Sequence, residues 1–172
     1  MATNLGVGIE FIGDWVGTKL SLERLPRDVS AGLKIANRKM AEDLYGRILQ
    51  HVLSQDLPWL PLDPDYKERK LRRFGSSDIW VRSSKVLDSI KVYTEGYNAS
   101  VGIKAGLNHP FSELKVYEVA SINETGSSTR PARPLFIPSY KEYGGDDAIR
   151  KKIASALNKY LRSKGHKTIK LR

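Results

Sequence analysis

The chain contains no cysteine, which excludes both a disulfide framework and a thiolate metal site. It also lacks any apolar run near the ~20 residues that a membrane span needs. Its N-terminus has no basic segment followed by an apolar one, as a secretion signal would have. We therefore expect a soluble protein that suits a reducing cytoplasm and has no membrane partner.

Sequence signals of catalysis are equally scarce. The three histidines, His51, His109 and His166, lie more than fifty residues apart, and no acid cluster beside them has the spacing of metal ligands. Neither Gly-x-Ser-x-Gly nor a Walker phosphate loop occurs. We expect no catalytic residue, no cofactor and no metal, and hence no enzyme. His51 falls on the apolar side of a helix, where we expect a satisfied core or boundary group.

Acidic residues are missing from the C-terminal end, so the net charge of +10 is unevenly distributed. Residues 150–172 carry nine Lys or Arg and no acid, whereas the other 149 residues hold 20 basic and 19 acidic groups. With 40% hydrophobic residues, the chain is long enough for one domain with a core. The sequence therefore predicts a near-neutral domain, residues 1–162, and a basic C-terminal arm, residues 163–172, that is mobile in the free monomer.

Alternating and helical periodicities indicate an α+β fold. Alternation through Val7, Ile9 and Phe11, and again from Thr18 to Glu23, predicts a β-hairpin that opens the chain. A long helix is predicted from Pro26 to about residue 54, because apolar residues then recur at helical spacing. These residues are Val29, Leu33, Ala36, Met40, Leu44 and Ile48.

Three prolines in residues 55–64 predict an irregular loop there. Residues 65–74 are then predicted to form either a short basic helix or a loop. A second hairpin is predicted around Gly96-Tyr97-Asn98, between alternating runs that begin at Ile90 and end at Ala105.

Two further helices are predicted, over residues 114–123 and from Gly144-Gly145 to about Ser163, the second capped by Asp146 or Asp147. The predicted architecture is a small antiparallel sheet of hairpins with the long N-terminal and the C-terminal helix packed on one face.

The most distinctive segment contains two Arg-Pro steps. Pro131 and Pro134 push the preceding Arg130 and Arg133 into extended conformations, where a repeat of about three residues per turn would place both arginines on one side. Two guanidinium groups on a stiff backbone suit carboxylates or phosphates of a partner, because little entropy remains to be lost on binding. A rigid surface connection between two elements is the alternative.

The order of motifs around this segment resembles a known family. Val116-Tyr-Glu-Val-Ala-Ser-Ile-Asn is followed by Glu124-Thr-Gly and then by Arg130-Pro-Ala-Arg-Pro-Leu-Phe-Ile-Pro. This order is similar to the signature of the tail-completion and head-tail joining (neck) proteins of tailed bacteriophages, the virion-morphogenesis group. Those proteins carry an aromatic-rich helix, a Glu-Phe-Gly-Thr-like turn and a Pro-Ala-Arg-Pro-Phe-Leu run before a last helix.

The resemblance extends over roughly residues 26 to 163, with looser matches outside the Arg-Pro segment. Ser83-Ser84-Lys-Val-Leu-Asp-Ser-Ile is similar to a family run before a β-hairpin, and Leu57-Pro-Trp-Leu-Pro-Leu to a Trp-Pro segment. The chain departs from the pattern at Thr125, where an aromatic residue is usual, and at Ser84, where glycine is expected.

The resemblance implies a structural virion protein that is assembled in the host cytoplasm and belongs to the neck or tail-completion ring joining head to tail. Its partners would be copies of itself in a six- or twelve-fold ring, and neighbouring connector, tail terminator or tail tube proteins. A tail terminator that caps the tail tube is the alternative within the group. The expected subunit or partner interface comprises Arg130, Pro131, Arg133, Pro134, Phe136, Ile169 and Leu171, with Arg133 paired to an acidic group on a neighbour.

A nucleic-acid-binding protein that uses the basic C-terminal end is the alternative from another class. The same residues would contact packaged DNA non-specifically in the channel of a ring. They are Lys151, Lys152, Lys159, Arg162, Lys164, Lys167, Lys170 and Arg172. Because Ile169 and Leu171 gain nothing from facing DNA, docking of the arm on a neighbour's sheet edge is the favoured alternative.

Overall fold

The structure is a computed structural model that describes residues 15–81 and 85–166. Helices and one small sheet make up this part of the chain. The helices there are α1 (Trp15–Ser54), α2 (Pro64–Phe74), α3 (Lys85–Ser89), α4 (Val116–Thr125), α5 (Phe136–Glu142) and α6 (Gly145–Ser163). The strands are β1 (Ile90–Glu95) and β2 (Asn98–Ile103), which pair antiparallel. The predicted α+β class, with a long N-terminal helix and a C-terminal helix, is confirmed.

Helix α1 begins earlier than predicted and contains Pro26 in its interior. An internal proline removes one backbone hydrogen bond and costs a helix about 3 kcal/mol. Contacts of the residues that follow it offset that cost. Asp28 accepts a hydrogen bond from the ring of His166, and Gly32 lies against α6 so closely that a Cβ there would come 2.7 Å from Leu157 Cδ1.

The β-hairpin predicted to open the chain is wrong in its second half, because residues 18–23 belong to α1. Residues 7–12, its first half, lie outside the described residues. The alternation that indicated a strand there depends on Leu20 and Leu22, a run too short to exclude a helix. Both leucines are exposed, so the strand-like pattern does not mark a buried face.

The second predicted hairpin is confirmed. Its register runs from Ile90 opposite Ile103 to Glu95 opposite Asn98, and Gly96 takes the left-handed conformation (φ 57°) that the turn requires. A two-stranded sheet is marginal by itself. Here it is held on α1, where Asn37 Nδ2 donates to the carbonyl oxygen of Tyr97 at 2.6 Å.

The remaining predictions hold with small shifts. Residues 65–74, left open between helix and loop, form α2, because Asp63 caps the backbone N–H of Tyr66 and Gly75 ends the helix in the left-handed conformation. Helices α4 and α6 are confirmed. Neither Asp146 nor Asp147 caps α6, because its N-cap is Gly144, and Asp146 instead accepts from the Tyr140 hydroxyl.

The main hydrophobic core lies at the C-terminal half of α1. It joins that half to α3, α4, β1 and the segments around them. Its buried residues are Ile48, Val52, Trp80, Val86, Ile90, Val116, Ala120 and Leu135. Helix α6 instead packs its buried Leu157 toward Gly32, in the N-terminal half of α1. The long helix therefore has separate packing partners along its length.

Candidate functional site

The connection between α4 and α5 contains both Arg-Pro steps and is here called the strap, residues 126–135. It starts at Gly126, whose φ of 79° favours glycine and whose Cβ, if present, would lie 2.9 Å from the backbone nitrogen of Ala132. The backbones of Ser127 and Arg130 then exchange hydrogen bonds in a tight turn. The strap thus folds back across its own beginning, and only glycine fits there.

Two tryptophans hold the strap by its backbone. Trp80 Nε1 donates to the carbonyl of Arg133 at 2.9 Å, and Trp59 Nε1 donates to the next carbonyl, that of Pro134, at 2.6 Å. Trp80 has a left-handed φ of 67°, which costs a non-glycine residue about 1–2 kcal/mol. Burial of its ring and this hydrogen bond stabilise that conformation. The two indoles therefore determine where the strap lies.

Glu124 determines how the strap enters α5. Its carboxylate accepts from the backbone N–H groups of Leu135 at 2.7 Å, Phe136 at 3.1 Å and Ile137 at 2.9 Å. Free N–H groups at the start of a helix need acceptors, and a negative charge is favoured there. Leu135 is fully buried in the core, so the capped turn anchors the end of the strap.

Arg133 binds its own chain. Its Nε donates to the carbonyl of Leu60 at 3.0 Å and its Nη2 to that of Pro61 at 3.2 Å. Two of its guanidinium nitrogens thus join the strap to the loop that follows α1. The sequence predicted pairing with an acid on a neighbouring subunit, and the described contacts are those of an internal brace. That pairing stays a prediction for the remaining guanidinium nitrogen.

The other predicted interface residues differ in exposure. Arg130 and Pro131 are exposed on the strap, whereas Pro134 is half-buried. Phe136 is also half-buried, and its ring meets Trp80 edge-on with the centroids 5.9 Å apart. Ile169 and Leu171 lie outside the described residues. The strap therefore presents one arginine and one proline directly to solvent.

A groove of about 480 Å³ runs beside the strap, and both arginines of the strap line it. Its walls are apolar and aromatic, formed by Leu62, Tyr66, Ile79, Trp80, Val81, Val86 and Val119. Among the described residues that line the groove, Lys70, Arg130, Arg133 and His109 add basic groups, and the one acid is Asp63, whose carboxylate caps α2. The groove is thus apolar inside and positive overall.

The predicted basic end of the chain is exposed along α6. Lys151, Lys152, Lys159 and Arg162 are all exposed, while Leu157 and Leu161 on the other side are buried. Lys164 is exposed just after the helix, whereas Lys167, Lys170 and Arg172 lie outside the described residues.

The first residues of the predicted basic arm are held against α1. The ring of His166 lies 2.8 Å from Asp28 Oδ2 through Nε2 and 3.1 Å from Ser21 Oγ through Nδ1. The hydrogen bond from His166 lowers the pKa of the Asp28 carboxyl, because it favours the ionised form. The structure therefore places the start of the arm beside the N-terminal half of α1.

His51 is buried, as predicted, and joins α1 to two other parts of the chain. Its Nδ1 lies 2.7 Å from Asp56 Oδ1, and its Nε2 lies 2.8 Å from Glu142 Oε2 without the alignment of a hydrogen bond. Arg47 Nη1 reaches the other oxygen of Glu142 at 3.1 Å. The hydrogen bond from His51 lowers the pKa of Asp56. The expectation of a satisfied group therefore holds for Nδ1, whereas the buried Nε2 makes only the close contact with Glu142.

Comparison of the chain with protein-family models, with curated proteins and with solved structures finds no match. Across residues 15–81 and 85–166, no group of three or more His, Cys, Asp or Glu side chains has an arrangement that could hold a metal ion. In the same residues no helix is long and apolar enough to cross a membrane.

Sequence reasoning missed the residues that position the strap. Trp59 and Trp80 are 75 and 53 positions from the carbonyls they bind, so no local pattern connects them. A signal was available in the prolines themselves, because a proline-rich segment lacks N–H donors and leaves its carbonyls in need of partners. Tryptophan, which carries an N–H donor on a large apolar ring, suits that role in a core.

Replacing Glu124 tests the cap. Glu124→Ala removes the acceptor for three backbone N–H groups, so we expect a loss of about 2 kcal/mol or more in the free energy of unfolding. Glu124→Gln should lose less, because its amide oxygen still accepts. Glu95→Ala, an exposed acid in the hairpin, is the control. Equal denaturation midpoints for Glu124→Ala and the control would contradict the assignment.

Acidification tests the two histidine–carboxylate contacts. Because Asp28 and Asp56 have pKa values below the ordinary 3.8 in the folded protein, both favour folding when ionised. That stability is present above the ordinary pKa and is lost as pH falls through the lowered values. We expect weaker resistance to urea near pH 3 than near pH 6, and a smaller difference in the Asp28→Asn, Asp56→Asn double variant. An unchanged difference in that variant would assign the acid sensitivity to other carboxylates.

Proposed function

We propose that the protein is a structural virion component of a tailed phage, part of the neck or tail-completion ring that joins head to tail. The observation that carries this proposal is the strap. The Pro-Ala-Arg-Pro run, on which the family resemblance depends, is clamped by Trp59, Trp80 and Glu124, and Arg130, just before the run, is exposed to solvent. A segment that is held rigid and exposed in this way suits recognition of a partner.

Rigidity gives the strap an advantage in assembly. Ordering a flexible loop on binding costs free energy, and this loop is already ordered by hydrogen bonds to its backbone. The guanidinium group of Arg130 suits carboxylates of a neighbouring subunit. Two exposed apolar residues flank the same region, Leu60 in the loop bound by Arg133 and Ile137 in the turn capped by Glu124. Together they offer charge and apolar area for a contact.

A ring of identical subunits needs two different patches on each subunit. The strap and its groove form one patch, joined to the core near Ile48 and Val52. The exposed side of α6 is a second surface of different chemistry, and the opposite side of this helix packs on α1 near Gly32. These positions are about 20–30 Å apart along α1 at 1.5 Å per residue. This separation supports a head-to-tail arrangement of subunits in a ring. The proposed location of that ring is the virion.

The exposed basic residues of α6 favour a second candidate, a protein that binds nucleic acid non-specifically. Lys151, Lys152, Lys159 and Arg162 share this helix with Lys164 just beyond it, and such a positive surface attracts phosphates. In the ring, the part of this surface that does not contact a neighbouring subunit would face packaged DNA in the channel. A tail terminator that caps the tail tube remains the alternative within the phage group.

Loss of the gene tests the proposed role. A lysate without this protein should contain filled heads and finished tails that fail to combine, and a tail terminator would instead leave tails without a closed upper end. Electron microscopy of the lysate distinguishes the two outcomes. Expression of the intact gene from a plasmid should restore complete particles. Normal particles in its absence would overturn the proposal.

Substitution of the two strap arginines tests the proposed interface. Arg130→Ala should leave the melting temperature unchanged and weaken ring assembly, because its side chain is exposed. Arg133→Ala should weaken assembly and also lower the free energy of unfolding by about 1–3 kcal/mol, because two internal hydrogen bonds are lost. Native mass spectrometry and thermal unfolding measure the two effects. Normal assembly of both variants would show that the strap is not an interface.

A further inference from the structure

The groove beside the strap has a chemistry that selects its ligand. Its interior is apolar and aromatic, with Trp80 and Val86 from the core at its base, and its charged residues other than Asp63 are basic. Lys70 is 5% exposed and donates to the carbonyl of Asp78, so its charge is held beside the groove. A fitting ligand carries apolar side chains together with acidic ones.

The first fourteen residues of the chain have this composition. They include the apolar Leu5, Val7, Ile9 and Phe11 and the acids Glu10 and Asp14, and they contain no Lys or Arg. The opposite end of the chain does not fit, because residues 167–172 carry three basic side chains and no acid. Charge therefore distinguishes the two ends of the chain as ligands for a positive groove.

The length of α1 prevents the N-terminal segment from reaching the groove of its own subunit. Ile48, which packs in the same cluster as Trp80, lies 33 positions after Trp15 on one helix, a distance of about 50 Å at 1.5 Å per residue. An extended chain spans at most about 3.5 Å per residue, so Leu5 reaches only about 35 Å from Trp15 and Phe11 about 14 Å. The apolar residues from Leu5 to Ile12 thus fall short within one chain.

We propose that the groove receives the N-terminal segment, residues 1–14, of a second copy of this chain. Alternate apolar side chains of the segment would enter between Trp80 and the groove walls, and its acids would lie near Arg130. The two surfaces involved are different, so each copy offers a groove to one neighbour and a segment to another, and the contact propagates into a ring or a chain. The inference concerns self-association alone and holds whether or not the protein belongs to a virion.

Disulfide trapping between two different chains tests the proposal in the full-length protein. The chain has no cysteine, so engineered ones react cleanly. Phe11→Cys is placed in one tagged chain and Thr129→Cys, at an exposed position lining the groove, in an untagged chain. Mixing them under mild oxidation should give a covalent heterodimer of distinct mass. Ser155→Cys, exposed on α6, is the matched control partner and should give little.

Charge reversal tests the ligand chemistry. Arg130→Glu in the groove chain should lower the heterodimer yield about fivefold, the scale of one exposed charge contact. Glu10→Lys with Asp14→Lys in the tagged chain should restore it, because the charges are exchanged. Unchanged melting temperatures of all variants will show that the fold is intact.

Three results would overturn the inference. One is a heterodimer yield no greater with Thr129→Cys than with Ser155→Cys. Another is an intrachain disulfide, rather than a dimer, in dilute protein that carries both Phe11→Cys and Thr129→Cys. The third is a yield lowered by Arg130→Glu that the reversed segment does not restore. If the first result is found in protein that still forms rings, this inference fails and the proposed function stands.

Discussion

Hydrogen bonds from two indoles to consecutive carbonyls, those of Arg133 and Pro134, are the interactions on which the rest of the described structure depends. Because Pro131 and Pro134 have no N–H, this part of the chain cannot join a helix or a sheet ladder, and its carbonyls need donors from elsewhere. The donors come from the loop after α1 and from the core before α3. Binding them brings three distant parts of the chain together, with Leu135 buried where they meet. The strap therefore organises the core as well as crossing its surface.

This arrangement separates the two arginines by role, although their sequence contexts are nearly the same. Each precedes a proline, yet Arg133 is bound to the carbonyls of Leu60 and Pro61, whereas Arg130 ends a tight turn and is exposed. The loop after α1 offers acceptor carbonyls to Arg133, whereas the turn that ends at Arg130 leaves its side chain exposed. A single rigid segment thus combines an internal brace with an outward charge. Because its backbone is held by hydrogen bonds, the position of Arg130 is also fixed.

Local patterns predicted the elements that local interactions determine. The hairpin from Ile90 to Ile103 follows from alternation and a glycine turn, and α6 follows from the glycine break before it. The start of α1 was missed because the apolar pattern around Leu22 is short. Over so few residues it is compatible with both a strand and a helix. The site was predicted only in part: the arginines and prolines were identified, while the donors that hold them are tens of positions away. Long-range hydrogen bonds produce no periodic pattern in the sequence. The sequence around a tryptophan in a loop therefore does not show whether its side chain is buried or exposed.

The length of α1 links the fold to assembly. A helix of forty residues is about 60 Å long, more than a domain of this size needs for one core. The structure uses that length by packing the strap and main core on one half and α6, with the anchored His166, on the other. The start of α1 and His166 are consequently held apart from the groove, and a rod that keeps unlike surfaces apart favours contacts between subunits over contacts within one. The same rod supports the two-stranded sheet, so changes that shorten it or bend it at Pro26 would alter stability and the spacing of the surfaces together.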